Sequence, residues 1–395
     1  MEESRKYRIE SIDLLRGVVM ILMALDHVRM YFGYGSLFAK PTDLATTTPL
    51  LFFTRWITHF CAPVFIFLAG TSAFLYRTRR ESTKEVSWFL FTRGMWLVLI
   101  ELIVVRFGWT FDITYSTIIL QVIWAIGMSM IFLSALVFLN KKLIFAVGII
   151  IVIGHNLLDS ISAQGTAAMD FVWYSLHQKN FVFLGPDFAV DLHYPLIPWI
   201  GVMALGYVFG TLYRKGYSAE KRKRWLLWMG FGAVLLFLVL RAYNVYGDPR
   251  PWGPQKSFVF SVMSFMNTVK YPVSLLFLLM TIGPSLIFLA LVEDIRNRTS
   301  GYLVTIGRVP FFFYVIHIYV IHVLGIFGLI YAGRNWTDYI LTARSFMTAS
   351  PADYGYNLLV VYIVWIIVLI LLYPLCKRYN EYKADNRTKR WLSYL

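Results

Sequence analysis

The sequence predicts an all-α, polytopic membrane protein with about ten transmembrane helices and both termini on the cytoplasmic side. Three observations carry this expectation. Hydrophobic residues make up 58% of the chain and charged residues only 15%, against roughly 25% charged residues in a soluble domain. Mean hydropathy is +0.62. Apolar runs long enough to cross a bilayer recur along the whole length, and the cations between them alternate in density. At about 20 residues per crossing, ten spans use about half of the chain, so residues 1–395 read as one transmembrane domain with short loops.

The runs cover residues 12–34, 49–76, 88–107, 115–139, 143–158, 194–213, 225–243, 271–292, 303–331 and 354–376, and several end in Tyr or Trp, as interfacial belts do. The first follows a polar start without a small-residue cleavage site and reads as a retained helix. With the N-terminus inside, the inner segments hold 23 Lys and Arg, including Arg77, Arg79, Arg80, Lys141, Lys142 and the run Lys221-Arg222-Lys223-Arg224. Lys270 at the edge of the next run aside, the outer loops hold six: Lys40, Lys179, Arg250, Lys256, Arg334 and Arg344. Residues 1–11 and 377–395 are then basic cytoplasmic tails, as the positive-inside rule requires. The net charge of +15 is explained by helix orientation and contact with anionic lipid, without nucleic acid as a partner. Loops 159–193 and 244–270 contain Trp173, Tyr174, His177 and Trp252 and read as ordered lids or short re-entrant pieces. Cys61 and Cys376 sit in separate halves and suggest neither a disulfide framework nor a metal cluster. No internal repeat is evident, which weakens an inverted-repeat transporter.

Ionisable residues inside the apolar runs point to a polar pocket. A charge at the bilayer centre costs about 2.5 to 3.5 kcal/mol even on the gentler insertion scales. Yet Asp26 and His27 fall about 21 to 23 Å along the first run and Glu101 about 20 Å along the third, with His59 and His317 near the same level. Arg55, Arg106, Gln121, His155, His193, Lys270 and His322 add polar groups nearer the outer side, so the pocket should open outward. On the first helix Arg16, Met20, Met23 and His27 follow spacings of 4, 3 and 4 and share one stripe, with Asp13 one turn below Arg16. Asp26 and Arg29 are i,i+3 and can pair, which leaves the proton state of His27 free to matter. A buried histidine also serves as a hydrogen-bonding strut between helices, and that alternative stands for His59 and His317 as well. Glu101 either orients an imidazole or pairs with an arginine. Cys61 points away from His59 on a helix, and His317 and His322 are five apart, so neither a Cys-His nucleophile nor a metal pair is expected.

Asp13-Leu14-Leu15-Arg16-Gly17 leading to Asp26-His27, then the segment from Thr58-His59 through Pro63 to Gly70, resembles the heparan-alpha-glucosaminide N-acetyltransferase catalytic-domain family in its bacterial members. Residues 194–201, Lys270-Tyr271-Pro272, Gly283-Pro284 and Gly307-Arg308-Val309-Pro310 agree, so the resemblance covers nearly the whole chain. It implies a transmembrane acyltransferase in a bacterial inner (plasma) membrane, with acetyl-CoA or another acyl-CoA as co-substrate, no metal, and an amino sugar or glycan as acceptor. Where the lysosomal member carries an active-site asparagine this chain has His27, and the histidine of the following loop has no counterpart between Phe32 and Thr48. His27 is therefore expected as general base, with Asp26, His59 and Glu101 as catalytic neighbours. Arg16 and Arg308 are expected near CoA phosphates. Arg29, Arg106, Gln121, Lys270 and His317 are expected to bind substrate, and Trp173 and Trp252 to stack on a sugar ring. Membrane lipids are partners, and a homodimer is compatible with the pattern. A second reading, a proton-coupled permease for a small anionic solute, uses the same buried groups. A third, an inactive lipid-binding relative, would tolerate loss of His27.

Overall fold

The computed structural model describes residues 9–393 apart from 350, 352 and 387. Arg5, Lys6, Arg8 and Arg387 of the basic tails lie outside the described residues. The chain is mostly helical. Its first half contains α1 (Glu10–Phe32), α2 (Pro49–Ile57), α3 (Cys61–Arg77), α4 (Thr83–Ile100), α5 (Arg106–Thr110), β1 (Thr117–Leu120), α6 (Val122–Leu136), α7 (Lys141–Gly154), α8 (Ala167–Leu176), β2 (Asn180–Gly185) and β3 (Phe188–Leu192). The second half contains α9 (Ile197–Phe209), α10 (Ala219–Tyr243), α11 (Phe258–Met266), α12 (Leu275–Leu291), α13 (Arg298–Gly307), α14 (Pro310–Tyr331), α15 (Ala343–Thr348) and α16 (Leu358–Asp385).

Among the described residues six helices are long and apolar enough to cross a membrane: Pro49–Arg77, Thr83–Thr110, Lys141–Leu158, Ala219–Tyr243, Pro310–Tyr331 and Leu358–Asp385. The protein is thus a multi-pass membrane protein. Six, rather than the ten expected, meet that standard. Val122–Leu136, Ile197–Tyr213 and Leu275–Leu291 are apolar but shorter, and α1 is long enough but carries Glu10, Asp13, Arg16, Asp26 and Arg29.

Helix starts follow local chemistry. Side chains of Ser82, Asn140, Ser218, Ser274 and Asn357 accept from N–H groups three residues on and cap α4, α7, α10, α12 and α16. Two interruptions shape the site. The run from Pro49 to Arg77 tightens into a 3-10 turn at Thr58–Phe60, just ahead of Pro63, which has no N–H to continue an α-helical ladder. Glu101–Val105 forms a π turn between α4 and α5, a device that re-aims side chains.

A small sheet departs from the all-α expectation. It has order β1-β3-β2, with β1 parallel to β3 and β2 antiparallel to it. Thr117 faces Ala189 and Leu120 faces Leu192 in register. The run expected to be helical from residue 115 therefore begins as a strand, in keeping with its Thr-Ile-Ile sequence, and turns helical only at Val122. The sheet, α8 and α11 give the two long loops their order and lie at one end of the bundle, the loop-rich end. The opposite, basic end brings together Ile9 near the start of the described chain and Lys383 near its finish, with Arg79 and Lys215 between them in sequence.

The charged first helix is the centre of the bundle. Of its 23 residues, Asp13, Asp26 and Arg29 are buried along with most of the apolar ones. It packs against α3 and α12 on one side and α13, α14 and α16 on the other. Backbone-to-backbone crossings bring these helices together. A Cβ on Gly17 would stand 2.0 Å from the Leu303 carbonyl oxygen, and one on Gly307 would stand 1.7 Å from that of Asp13. Gly70 of α3 and Gly206 of α9 are equally tight, at 2.1 Å from the Met203 oxygen and 2.0 Å from the Phe67 oxygen. Small residues let helices approach this closely where no hydrophobic drive separates helix from lipid. The outer helices present apolar side chains instead: only 17% of the apolar stretch of α16 is buried.

Gly206→Val should therefore lower stability by about 1 to 3 kcal/mol, as overpacking does, seen as an earlier thermal unfolding transition of the detergent-solubilised protein. Gly232→Ala on α10, where a Cβ meets nothing within 4 Å, should leave that transition unchanged or raise it. Equal behaviour of the two variants would contradict the close-crossing account.

Candidate active site

Two cavities lie along α1, one at each end. The basic-end cavity has a volume of about 650 Å³ and is lined by Asp13, Arg16 and Met20 of α1 with Phe65, Ala69, Ser72, Arg79, Arg93, Val122, Lys215, Arg308, Tyr314 and Lys383 among others. The loop-end cavity, about 590 Å³, is lined by Met23, Asp26, His27 and Arg29 with Lys40, Arg55, Cys61, Phe65, Trp109, Gln121, Val122, Lys179, His193, Tyr194, Arg250, Lys270, Tyr271 and Tyr314 among others. The stripe read from the sequence divides between them: Arg16 and Met20 face one cavity, Met23 and His27 the other. Phe65, Val122 and Tyr314 line both and form the partition.

At the basic end the Gly17–Gly307 crossing carries Arg308 to the start of α1. Its guanidinium lies 3.5 Å from Glu10 and 3.7 Å from Asp13. Arg16 reaches Asp13 at 3.3 Å, the Leu68 carbonyl at 3.3 Å and the Ser72 hydroxyl. The two motifs Asp-Leu-Leu-Arg-Gly and Gly-Arg-Val-Pro, almost 300 residues apart in sequence, thus build one cationic wall.

At the loop end His27 Nδ1 lies 2.7 Å from His317 Nε2, with the two rings nearly parallel at 16°. His317 Nδ1 lies 3.0 Å from the Phe313 carbonyl. A carbonyl only accepts, so His317 Nδ1 bears the proton and its Nε2 accepts from His27 Nδ1–H. The Nε2 lone pair of His27 is then left for the cavity that His27 lines. Trp109 packs edge-on against His27 at 4.7 Å. His317, expected to bind substrate, is instead fully buried behind His27.

Asp26 does not touch His27's ring nitrogens. Its carboxylate accepts from Arg29 at 3.1 Å and from Arg55, which also donates to Thr58 at 3.0 Å. Glu101 accepts from the backbone N–H groups of Gln121 at 3.3 Å and Trp124 at 3.0 Å. It thereby caps the start of α6 and lines neither cavity. His59 also lies outside both linings, buried against Phe277 at 5.0 Å. Arg106 is fully buried and held by Asp112 at 2.7 Å and by the Thr117 carbonyl at 2.7 Å. Although burial opposes it, hydrogen bonds from Thr114 and Ser116 keep the Asp112 carboxyl below the usual carboxylate range, so Arg106 has a charged partner and serves the loop. Trp173 donates to the Ile161 carbonyl at 3.1 Å, and Trp252 packs on Phe265 at 5.2 Å. Neither lines the cavity. Gln121, Arg29 and Lys270, read from the sequence as substrate-binding groups, line it. His177 and His193 are held by Asp159 and Asp191, each at 3.0 Å.

Sequence reasoning underrated Arg55 and did not single out Trp109, Tyr194, Tyr271 or Tyr314. The indole N–H of Trp109 and the hydroxyl of Tyr314 are buried and interact with each other, and both residues line the loop-end cavity. Among the described residues no group of three or more His, Cys, Asp or Glu is placed to hold a metal.

No curated protein matches the chain. The family model for heparan-alpha-glucosaminide N-acetyltransferase, catalytic, matches residues 8–242, a stretch that contains α1, the Thr58-His59 to Gly70 segment and most of both cavity walls. That family uses acetyl-CoA as co-substrate, which does not favour the permease alternative. With more than half of its length matched, this chain belongs to the heparan-alpha-glucosaminide N-acetyltransferase catalytic-domain family, a family of transmembrane acetyltransferases.

Proposed function

We propose that the chain moves an acetyl group from acetyl-CoA in the basic-end cavity to an amine or hydroxyl of a sugar-type acceptor in the loop-end cavity. The observation that carries this reading is the pair of cavities meeting at a thin partition beside His27. Six cations, Arg16, Arg79, Arg93, Lys215, Arg308 and Lys383, line the basic-end cavity against one acid, Asp13, a balance suited to the phosphates of CoA. Its apolar wall, including Phe65, Ala69, Leu90 and Ile126, suits a pantetheine arm leading to the partition. On this reading the basic end faces the cytoplasm of a bacterial cell, as the distribution of Lys and Arg suggests.

The acceptor nitrogen or oxygen attacks the thioester carbonyl carbon while His27 Nε2 takes its proton. The resulting imidazolium keeps its Nδ1–H bond to His317, whose own Nδ1–H rests on the Phe313 carbonyl. Charge gained by His27 is thus shared along a chain of hydrogen bonds. The oxyanion is stabilised by the O–H of Tyr314, whose oxygen is met by the Trp109 indole N–H, a fixed donor of the kind that supplies the largest single term in many acyl transfers. The tetrahedral intermediate then collapses, the C–S bond breaks, and the proton passes from His27 to the departing CoA sulfur. Asp26 holds Arg29 and Arg55 in place; His317 is a positioning residue.

The first test is calorimetric binding of acetyl-CoA to the purified protein, with free CoA and a nucleotide of similar charge as controls. Saturable binding that depends on the pantetheine arm is expected; no binding by folded protein would reject the reading. With an acceptor in hand, His27→Ala should reduce turnover by about 10² to 10⁴, the usual worth of a general base, while acetyl-CoA binding stays near wild type. His317→Phe should lower kcat and displace the acidic limb of the pH–rate profile with KM little changed. His317→Gln, whose amide oxygen can accept from His27 Nδ1–H, should recover part of the loss. A His317→Phe variant with normal kcat and pH profile would remove His317 from the mechanism.

A further inference from the structure

Cations at the loop-rich end are scarce, yet they gather at one place. Of the six Lys and Arg in the loops read as outer, Lys40, Lys179 and Arg250 line the loop-end cavity, joined by Lys270 from the end of its own loop and by Arg29 and Arg55 from the helices. Helix orientation requires the opposite, depletion of cations on this side, so it does not explain them. Two acids share the lining, Asp26 and Asp43. Asp26 is shared by Arg29 and Arg55, and the Asp43 carboxylate accepts from the backbone N–H of Ala45 at 3.0 Å. Six cations against two acids leave an excess of four positive charges. Two of the cations share one ring: the ammonium groups of Lys179 and Lys270 stand 5.0 and 5.1 Å from the centre of the Tyr271 ring. No carboxylate pairs with either among the described residues. Tyr271 in turn packs on His193 at 4.3 Å and meets the Tyr194 hydroxyl at 3.5 Å. An excess of cations around one cavity of about 590 Å³ forms a site for an anion.

Resting on the acetyl-transfer reading, we infer that the acceptor is a phosphate-bearing sugar-type molecule whose phosphate sits between Lys179 and Lys270 over Tyr271, with its amine or hydroxyl at His27. The charge excess favours phosphate over a carboxylate or sulfate ester. A phosphate monoester carries about −1.5 to −2 charge near pH 7 and three oxygens to share among the cations, whereas the other two carry one negative charge. The phosphate monoester is carried either by a soluble sugar or by the sugar of a lipid-anchored molecule.

The test measures binding to the full-length detergent-solubilised protein without acetyl-CoA, using glucosamine, glucosamine 6-sulfate and glucosamine 6-phosphate, and dodecyl phosphate in mixed micelles. Glucosamine 6-phosphate should bind at least about tenfold tighter than glucosamine and clearly tighter than the sulfate ester, with the advantage shrinking as salt rises. Lys179→Gln, at an exposed position, and Lys270→Gln should each remove most of that advantage while acetyl-CoA binding is retained. Displacement of the sugar phosphate by dodecyl phosphate supports the same site and identifies a lipid-linked source; preference for the soluble ester supports it and identifies a soluble one. Equal affinity for the three sugars, equal affinity for sulfate and phosphate esters, or full binding by both variants overturns the inference. Transfer to unphosphorylated glucosamine as efficient as to its phosphate would overturn it while leaving the acetyltransferase reading intact. Tight phosphate-dependent binding without any acetyl-CoA binding would reject that reading and leave the anion site standing.

Discussion

Everything in this molecule follows from a first helix that cannot face hydrocarbon. Asp13, Arg16, Asp26 and Arg29 lie on one continuous helix of 23 residues, and each would cost about 2.5 to 3.5 kcal/mol at mid-membrane if exposed to lipid. The helix is stable only inside a jacket of others. Close jacketing requires backbones to touch, which is why Gly17 meets α13 and Gly307 meets α1. Lipid contact is then left to helices such as α10 and α16, whose polar residues are confined to their ends and whose apolar middles stay outward.

Enclosure alone does not settle the charges; each still needs a partner. Arg16 and Arg308 settle on Asp13 at one end, and Arg29 and Arg55 settle on Asp26 at the other. Between them α1 presents Met20 and Met23, with no charge over a full turn. The polar interior is thus divided, and the partition of Phe65, Val122 and Tyr314 falls where the stripe is apolar. His27 sits one turn beyond that gap. Its neighbour in sequence, Asp26, points about 100° away around the helix, so the ring is oriented by a residue from a different helix, His317.

The sequence made depth legible but not rotation. Hydropathy and rise per residue put Asp26, His27, Glu101 and His317 at a common level, and the spacing of Arg16, Met20, Met23 and His27 identified the face that lines both cavities. Whether Glu101 points at that face depends on the azimuth of α4 and on the π turn at Glu101–Val105, which no periodicity reveals. Its carboxylate caps α6, a helix that starts late because Thr117–Leu120 joins a sheet. That sheet pairs segments about 70 residues apart in sequence, so Arg106, at the end of the third apolar run, read as a binding group when it is the buried anchor of the loop that follows it. Tyr194 and Tyr271 were hidden for another reason: aromatic residues at span ends are common interfacial residues, and only the fold shows which of them turn inward.

The partition bears on how chemistry could be done across a membrane at all. A permease must open a continuous path for the whole solute, and here bulky side chains stand in that path. An acetyltransferase with substrates on opposite sides needs only that two atoms meet. On the proposed reading the charged body of the donor remains among Arg16, Arg308 and their neighbours, and the charged body of the acceptor among Lys179 and Lys270, because neither has to pass Phe65, Val122 and Tyr314. Only the thioester carbonyl must reach the level of His27, and that group is small and uncharged until it is attacked. On the proposed reading, charge then appears beside the Tyr314 hydroxyl, which the Trp109 indole N–H supports. On that reading the same partition confines the reaction to the one place where His27, the Tyr314 hydroxyl and both cavities come together.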